Sequence, residues 1–161
     1  MSRWVVSVER LISATPERIW ALVADPRRHH EINGNDTVRD AFDVPARVTL
    51  GSTFGMNMDF GGDYTMVNTV IEYEEGRRIA WQARPPADGS RWRHIFGGRI
   101  WRYELEPFDG GTQVRESWDV SQEGKFGTRW LVRLYGAKTK DNMTKTLDRI
   151  EHLVAAHDRE S

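Results

Sequence analysis

The sequence contains no cysteine among its 161 residues. This absence excludes a disulfide framework, a thiolate metal site and a cysteine nucleophile. The chain also lacks an apolar run approaching the ~20 residues of a membrane-spanning helix. Its first residues lead directly into a strand pattern without the apolar stretch of a signal peptide. From these absences we expect a cytoplasmic protein without stable membrane insertion.

An excess of either charge is also missing, because the formal net charge is only −1. Such a balance gives no electrostatic basis for binding nucleic acid or an anionic surface. The most basic stretch with interleaved aromatics is residues 91–94, together with Arg99 and Arg102. We interpret it as a loop at a pocket mouth or a solvated strand edge, and we predict no nucleic-acid partner.

The hydrophobic periodicity predicts an α+β protein. A strand is expected over residues 4–13, followed by two short helices at 16–24 and 27–32. Alternating patterns then predict strands at 37–44, 52–60, 63–73, 78–84, 99–106 and 112–121, separated by glycine-containing turns. From residue 127 to 157 apolar residues recur every three or four positions, which predicts one long helix. The length suits one domain over residues 1–161.

The start of the first helix carries the most informative motif. Residues 14–20 read Ala-Thr-Pro-Glu-Arg-Ile-Trp, and Asp25-Pro26 follows shortly after. Thr15 suits an N-cap and Pro16 the first helical position. Together with residues 70–81 and 111–114, this pattern resembles the START-like (SRPBCC) superfamily of polyketide cyclase/dehydrase and lipid-transfer proteins. The resemblance implies a helix-grip fold: a seven-stranded curved antiparallel sheet wrapped around a long C-terminal helix, with two short helices after strand 1.

Three functions are compatible with that fold. The first is binding or transport of a hydrophobic small molecule such as a lipid or polyketide in a cavity between sheet and C-terminal helix. The second is a polyketide cyclase/dehydratase that uses inward Tyr, Glu and Arg groups; Tyr64, Tyr103, Tyr135 and His94 are further candidates for proton transfer. The third is a protein-interaction module whose cavity is filled by Trp101, Trp118, Trp130 and Tyr135. We find no family catalytic motif and expect binding without robust turnover.

The candidate ligand-binding residues point toward the predicted cavity. They are Phe54, Met56, Met58, Tyr64, Trp81, Trp101, Tyr103, Glu116, Trp118, Tyr135 and Thr139. We expect no cofactor. We also expect no metal site, because the neighbouring His29, His30 and Glu31 point apart on a helix and are interpreted as solvated surface. The hydrophobic ligand is the expected partner, and a homodimer is left open.

Glu116 is the unusual member of this set, since it shares the inward parity of Val114 and Trp118. A buried carboxylate is costly unless it is paired. Arg10 has the same inward parity in the first strand, and the family sheet order places first and last strands side by side. We therefore predict an Arg10–Glu116 ion pair that lowers the pKa of the carboxyl. Whether the pair is structural, or Glu116 anchors a ligand or transfers a proton, is left open.

Overall fold

The computed structural model describes residues 2–88, 96–124 and 126–160. It contains a seven-stranded antiparallel sheet in the order β1-β7-β6-β5-β4-β3-β2. The strands are β1 (Val5–Ile12), β2 (Val38–Phe42), β3 (Thr53–Asp59), β4 (Asp63–Glu74), β5 (Arg78–Arg84), β6 (Ile100–Phe108) and β7 (Gly111–Asp119). The helices are α1 (Pro16–Val23), α2 (His29–Ile32), α3 (Phe126–Arg133) and α4 (Gly136–Glu160), with a 3-10 turn at Pro26–Arg28. His94 and the basic stretch 91–94 lie outside the described residues.

The pairing of the first and last strands is confirmed. β1 and β7 run antiparallel, with Val8 opposite Glu116, and β7 continues the pairing on its other side to β6. The β6–β7 hairpin turns at Gly110, whose φ of 79° belongs to the left-handed region that glycine adopts most easily. Its register places Tyr103 opposite Glu116 and Trp101 opposite Trp118. Because side chains alternate between faces, these four residues share the concave face of the sheet.

Helix α1 forms as its motif predicts. Thr15 precedes it in an extended conformation and Pro16 occupies the first turn, although the Thr15 side chain makes no capping hydrogen bond. Ile19, Leu22 and Val23 form its buried face. The packing of this face positions α2 and the loop that follows it. Both α2 and this loop contribute to one wall of the cavity described below.

The single long helix predicted over residues 127–157 is wrong in one respect, because the chain breaks between α3 and α4. The Tyr135 N–H donates to the Val132 carbonyl at 3.0 Å, a tight turn, and helical bonding restarts when the Thr139 N–H donates to the Tyr135 carbonyl. Gly136, a poor helix former, begins α4. The buried stripe of α4 consists of Met143, Leu147, Ile150 and Val154, and it packs against the sheet as the helix-grip interpretation requires. Among the described helices none is long and apolar enough to cross a membrane.

Candidate ligand cavity

A cavity of about 630 Å3 lies between the concave face of the sheet and the C-terminal helices. Ten of the predicted site residues line it: Met56, Met58, Tyr64, Trp81, Trp101, Tyr103, Glu116, Trp118, Tyr135 and Thr139. Its volume falls in the range of small-ligand sites, roughly 300–1,000 Å3. Trp101, Trp118 and Tyr135 therefore line the space without filling it, and Trp130 packs instead on Trp4 with ring centroids 5.0 Å apart.

Phe54 is the predicted residue that the cavity wall does not include. It is only 1% exposed and packs edge-on against Trp81 and His29, at centroid distances of 6.1 and 6.3 Å. Trp81 in turn stacks on His29 at 4.9 Å with an interplanar angle of 24°. Phe54 thus supports the aromatic wall from behind, and Trp81 and His29 present that wall to the cavity.

The cavity floor, defined here as Glu116 and Tyr103, is the most unusual part of the site. Glu116 is 3% exposed and Tyr103 4% exposed, and the Tyr103 hydroxyl lies near enough to Glu116 to affect the pKa of its carboxyl. Burial raises the pKa of Glu116 to about 8, against a smaller lowering by the Tyr103 hydroxyl. Burial, reinforced by the nearby Glu116 carboxyl, also raises the pKa of Tyr103 well above its usual value. At neutral pH the floor is therefore an uncharged carboxylic acid beside an uncharged phenol.

The predicted Arg10–Glu116 ion pair is wrong. Arg10 lies further along β1, where its Nε contacts Oε2 of Glu151 at 2.7 Å and its Nη2 contacts Oδ1 of Asp148 at 3.1 Å. Both carboxylates belong to α4, which crosses β1 at that point. A guanidinium that reaches toward partly exposed acids avoids the desolvation that pairing with Glu116 would cost. The pKa of Glu116 is consequently raised, not lowered as the ion pair would require.

Unpartnered polar atoms concentrate on this cavity. Among the described residues, three buried side-chain atoms have no hydrogen-bond partner: Glu116 Oε2, Asn142 Oδ1 and Arg129 Nε. The first two belong to cavity-lining residues. An unpartnered buried polar atom costs about 1–3 kcal/mol. A ligand that supplies the missing hydrogen bonds would recover part of that cost.

Asn142 is held in place by a tight contact between α4 and the loop after α2. The Thr146 hydroxyl donates to the Asn142 carbonyl at 3.0 Å and accepts from the Gly34 N–H at 3.0 Å. A Cβ at Gly34 would lie 2.4 Å from the Asn142 carbonyl oxygen, so the approach requires glycine. The sequence analysis missed Asn142, since an asparagine in a helix gives no signal without its neighbours.

His29 was predicted as solvated surface, and that prediction is wrong. The ring is 5% exposed, and its Nε2–H donates to the Val23 carbonyl at 2.9 Å. Burial lowers its pKa to about 4, so the imidazole is neutral at pH 7. His30 is exposed and bonds to the Arg27 carbonyl, while Glu31 pairs with Arg28. The described residues contain no group of side chains arranged to hold a metal ion.

A buried carboxylate that sequence reasoning missed fixes one edge of the cavity. Glu123 is fully buried and accepts hydrogen bonds from the Gly97 N–H at 2.6 Å and from the Arg99 N–H and Nε, both at 3.1 Å. The Arg99 guanidinium thus forms an ion pair with Glu123, whereas Glu116 has no such partner among the described residues. Gly97 and Gly98 have φ values of 109° and 112°, in the region that glycine adopts most easily. This clamp positions Arg99 on the cavity wall.

The cavity mouth, defined here as Phe60, Tyr64, Tyr135 and Lys138, is where wall residues reach solvent. Phe60 and Tyr135 are each 52% exposed and Tyr64 is 43% exposed. Lys138 Nζ lies 4.9 Å from the centre of the Phe60 ring, which connects the start of α4 with the β3–β4 hairpin. A ligand entering here meets aromatic edges and a cation before it reaches the uncharged floor.

Solved structures share this fold at low sequence identity. Protein NE0264 from Nitrosomonas europaea matches with a TM-score of 0.73 at 15% identity, covering 99% of each chain. The AHSA1-like protein from Aeromonas hydrophila gives a TM-score of 0.64 at 18% identity, covering 96% of this chain and 94% of that one. The di-domain ARO/CYC StfQ from the steffimycin biosynthetic pathway gives 0.69 at 13% identity, covering 97% of this chain and 52% of StfQ. At such identities the likeness concerns the fold alone.

A curated sequence relative is more similar. The uncharacterized protein Rv0088 of Mycobacterium tuberculosis is 35% identical over 115 residues, which are 70% of this chain and 46% of the relative. The chain thus matches about half the length of that protein. The family model described as polyketide cyclase / dehydrase and lipid transport matches residues 3–155, so the chain belongs to this family.

Proposed function

We propose that this member of the polyketide cyclase/dehydrase and lipid transport family binds a hydrophobic small molecule, a lipid or a polyketide-like compound, in the cavity. The buried end of that molecule carries an uncharged oxygen, such as a carbonyl or hydroxyl, that hydrogen-bonds to Glu116. One observation carries the proposal: a cavity of about 630 Å3 with an aromatic wall ends on a buried carboxyl whose Oε2 has no partner.

The protonated carboxyl on the cavity floor favours an uncharged ligand group. A carboxyl with a pKa of about 8 is mostly protonated at pH 7 and can donate its O–H to a carbonyl oxygen. An anionic group at the same depth would share a low-dielectric space with an acid and lose its hydration. The wall of Met56, Met58, Trp81, Trp101 and Trp118 suits apolar or flat ring systems, because methionine adapts to irregular shapes and indole offers large apolar area.

The first experiment titrates the protein with Nile red, a neutral, flat, fluorescent probe that carries a ring carbonyl. We expect saturable binding by the wild type. Glu116→Met keeps side-chain volume but removes the donor, and it should weaken binding by roughly 2- to 10-fold, the usual range for one hydrogen bond. Glu104→Met is the matched control, because Glu104 lies on the opposite face of the same sheet and pairs with Arg78.

Two results would contradict the proposal. One is absence of saturable Nile red binding by folded wild-type protein. The other is an affinity that Glu116→Met and Glu104→Met change equally. Mass spectrometry of lipids extracted from the protein, purified from its own organism, then identifies the natural ligand; the proposal predicts a neutral carbonyl- or hydroxyl-bearing compound.

A second candidate function is ring closure of a poly-carbonyl substrate, and the raised pKa of Glu116 favours it. In an aldol-type closure an enol carbon bonds to a carbonyl carbon, the carbonyl oxygen gains a proton, and the enol O–H loses one. Protonated Glu116 supplies the first proton, and the resulting carboxylate accepts the second. Cyclisation of a poly-β-ketone surrogate by wild type that disappears in a folded Glu116→Gln variant would establish this function over binding alone.

A further inference from the structure

We propose that the end of α3 and the first turn of α4 form a docking surface that holds the cavity mouth against an anionic lipid bilayer. This inference goes beyond the proposed function, because docking depends on the outer surface and not on what occupies the cavity. The surface is called the basic rim here and comprises residues 129–140. Its charge, its exposed apolar side chains and its position each support the proposal.

The charge of this segment differs from that of the chain as a whole. Residues 129–140 contain four Lys or Arg residues and no Asp or Glu, although the net charge of the protein is −1. The rest of the chain is therefore net negative. The near-zero net charge gave no reason to expect an anionic partner surface, because it does not reveal this uneven distribution of charges along the chain. A bilayer with anionic headgroups would attract the basic rim and repel the remainder, which would orient the molecule.

The cations of the basic rim form no ion pairs within the described part of the chain. Among the described residues, no carboxylate forms a salt bridge with Arg129, Arg133, Lys138 or Lys140, whereas elsewhere Arg47 pairs with Glu75 and Arg102 with Glu72. Arg129 Nε also lacks a hydrogen-bond partner. The guanidinium groups of Arg129 and Arg133 lie instead over the rings of Trp4 and Trp130, at 5.4 and 5.7 Å. The Arg133 Nε–H also donates to the Arg3 carbonyl at 2.6 Å, and the exposed Arg133, Lys138 and Lys140 are the cations that phosphate groups can reach.

Large apolar side chains project from the same segment. Leu134 is 76% exposed, the highest value among the exposed large apolar residues of the described chain, and Tyr135 is 52% and Trp130 37% exposed. Trp130 and Leu134 are four residues apart and so lie on the same side of the chain, next to the cations. Trp and Tyr favour the headgroup level of a bilayer, and an exposed Leu gains by insertion into the acyl boundary. This apolar component favours a lipid surface over an acidic protein.

The basic rim lies next to the cavity mouth, so docking would place the opening at the membrane surface. Tyr135 and Lys138 belong both to the basic rim and to the cavity mouth. A bilayer in contact with Leu134 would therefore lie beside the opening, and a hydrophobic ligand would pass between membrane and cavity without crossing water. The side chains involved differ from those of the floor, so docking and ligand recognition can be tested separately.

The experiment measures co-sedimentation with vesicles of phosphatidylcholine alone and of phosphatidylcholine mixed with phosphatidylglycerol. We expect the wild type to bind the mixed vesicles and not the neutral ones. Removal of one cation near an anionic surface lowers the partition coefficient about fivefold, so the double charge reversal Arg133→Glu/Lys140→Glu should lower it by more than about 20-fold. Leu134→Ser should lower it at constant charge.

Matched controls come from the other end of the sheet. Arg47→Glu reverses a charge on a side chain that is 72% exposed, and Phe108→Ser removes an apolar side chain that is 63% exposed. Both should bind the mixed vesicles as the wild type does. The proposal fails if the wild type does not bind anionic vesicles. It also fails if the Arg133→Glu/Lys140→Glu and Arg47→Glu variants lose equal affinity for them. It also fails if Leu134→Ser abolishes a dimer of the chain while vesicle binding is absent.

Discussion

On the convex face of the sheet charged side chains pair with one another, whereas on the concave face Glu116 has no cation beside it among the described residues. The contrast is sharpest within β7. Arg115 points outward and forms salt bridges with Glu9 and Glu104. Its neighbour Glu116 points inward toward the Tyr103 hydroxyl, and its Oε2 has no hydrogen-bond partner among the described residues. Two consecutive residues of one strand thus experience opposite environments.

The two faces offset the free-energy cost of burying a polar side chain in different ways. Arg102 and Glu72, on the convex face, satisfy each other through bonds of 2.7 and 2.9 Å and remain charged. Glu116 instead keeps its proton, which avoids a buried charge but leaves Oε2 without a partner. A structural ion pair is complete in itself, whereas the carboxyl of Glu116 is left able to bond with a ligand.

The largest effect is expected from removing concave-face packing. Trp118 is 3% exposed, and Trp118→Ala should lower the free energy of unfolding by about 3–5 kcal/mol, measured by urea denaturation. Trp101 lies 6.3 Å away and is only partly buried, so Trp101→Ala should cost less. Equal and small losses for both variants would mean that these rings do not support the cavity wall.

The next largest effect is expected in the pH dependence of stability, which should differ between groups on the concave and convex faces. Between pH 4.5 and about 8 folded Glu116 retains a proton that the unfolded chain releases. Stability contributed by this group is therefore complete below pH 4.5 and declines as pH rises toward 8, by at most about 1.4 kcal/mol per pH unit. Glu116→Gln removes the effect, so its stability relative to wild type should increase across this window.

That comparison is made as a difference between the two proteins, because other groups titrate in the same range. The pKa of His29, lowered to about 4, contributes stability that grows as pH rises from 4 to 6.5, and it does so equally in both proteins. A constant difference between wild type and Glu116→Gln from pH 4.5 to 8 would show that Glu116 is ionised in the fold.

Smaller effects are expected from the convex face. The Arg102–Glu72 pair is partly buried, with side chains 19% and 33% exposed, and Arg102→Met should cost about 1 kcal/mol. The hydrogen bond from Arg102 lowers the pKa of Glu72, so this contribution is present at neutral pH and is lost as pH falls, the opposite sign to Glu116. Arg47→Met removes a pair whose side chains are 72% and 65% exposed, and it should change stability by less than about 0.5 kcal/mol. Equal costs for both variants would remove the distinction between these pairs.

Strand alternation predicted the strands and most of the cavity wall, and the family resemblance implied the sheet order with β1 beside β7. Met56, Met58, Trp101, Tyr103 and Trp118 followed from parity, because period-two patterns fix which face a side chain occupies. The family resemblance supplied the placement of the C-terminal helix over that face. The strand positions and their inward faces depend on local sequence, which is why the residue pattern alone predicted them.

The errors concern partners that only the tertiary structure brings together. Arg10 could pair with any acid near β1, and the choice of Asp148 and Glu151 depends on where α4 crosses the strand. The environment of His29 depends on Trp81, more than fifty positions later in the chain. The break at Gly136 had a visible signal in the glycine, but period alone did not show that the helix ends there.

The central claim is that Glu116 is an uncharged acid on the cavity floor of the folded protein at neutral pH. The direct measurement is a carbon-13 NMR titration of glutamate side-chain carboxyl resonances, with the Glu116 signal assigned by its loss in Glu116→Gln. The account predicts a midpoint near pH 8, far above the ordinary value of 4.5. A midpoint at or below 4.5 in folded protein would contradict it.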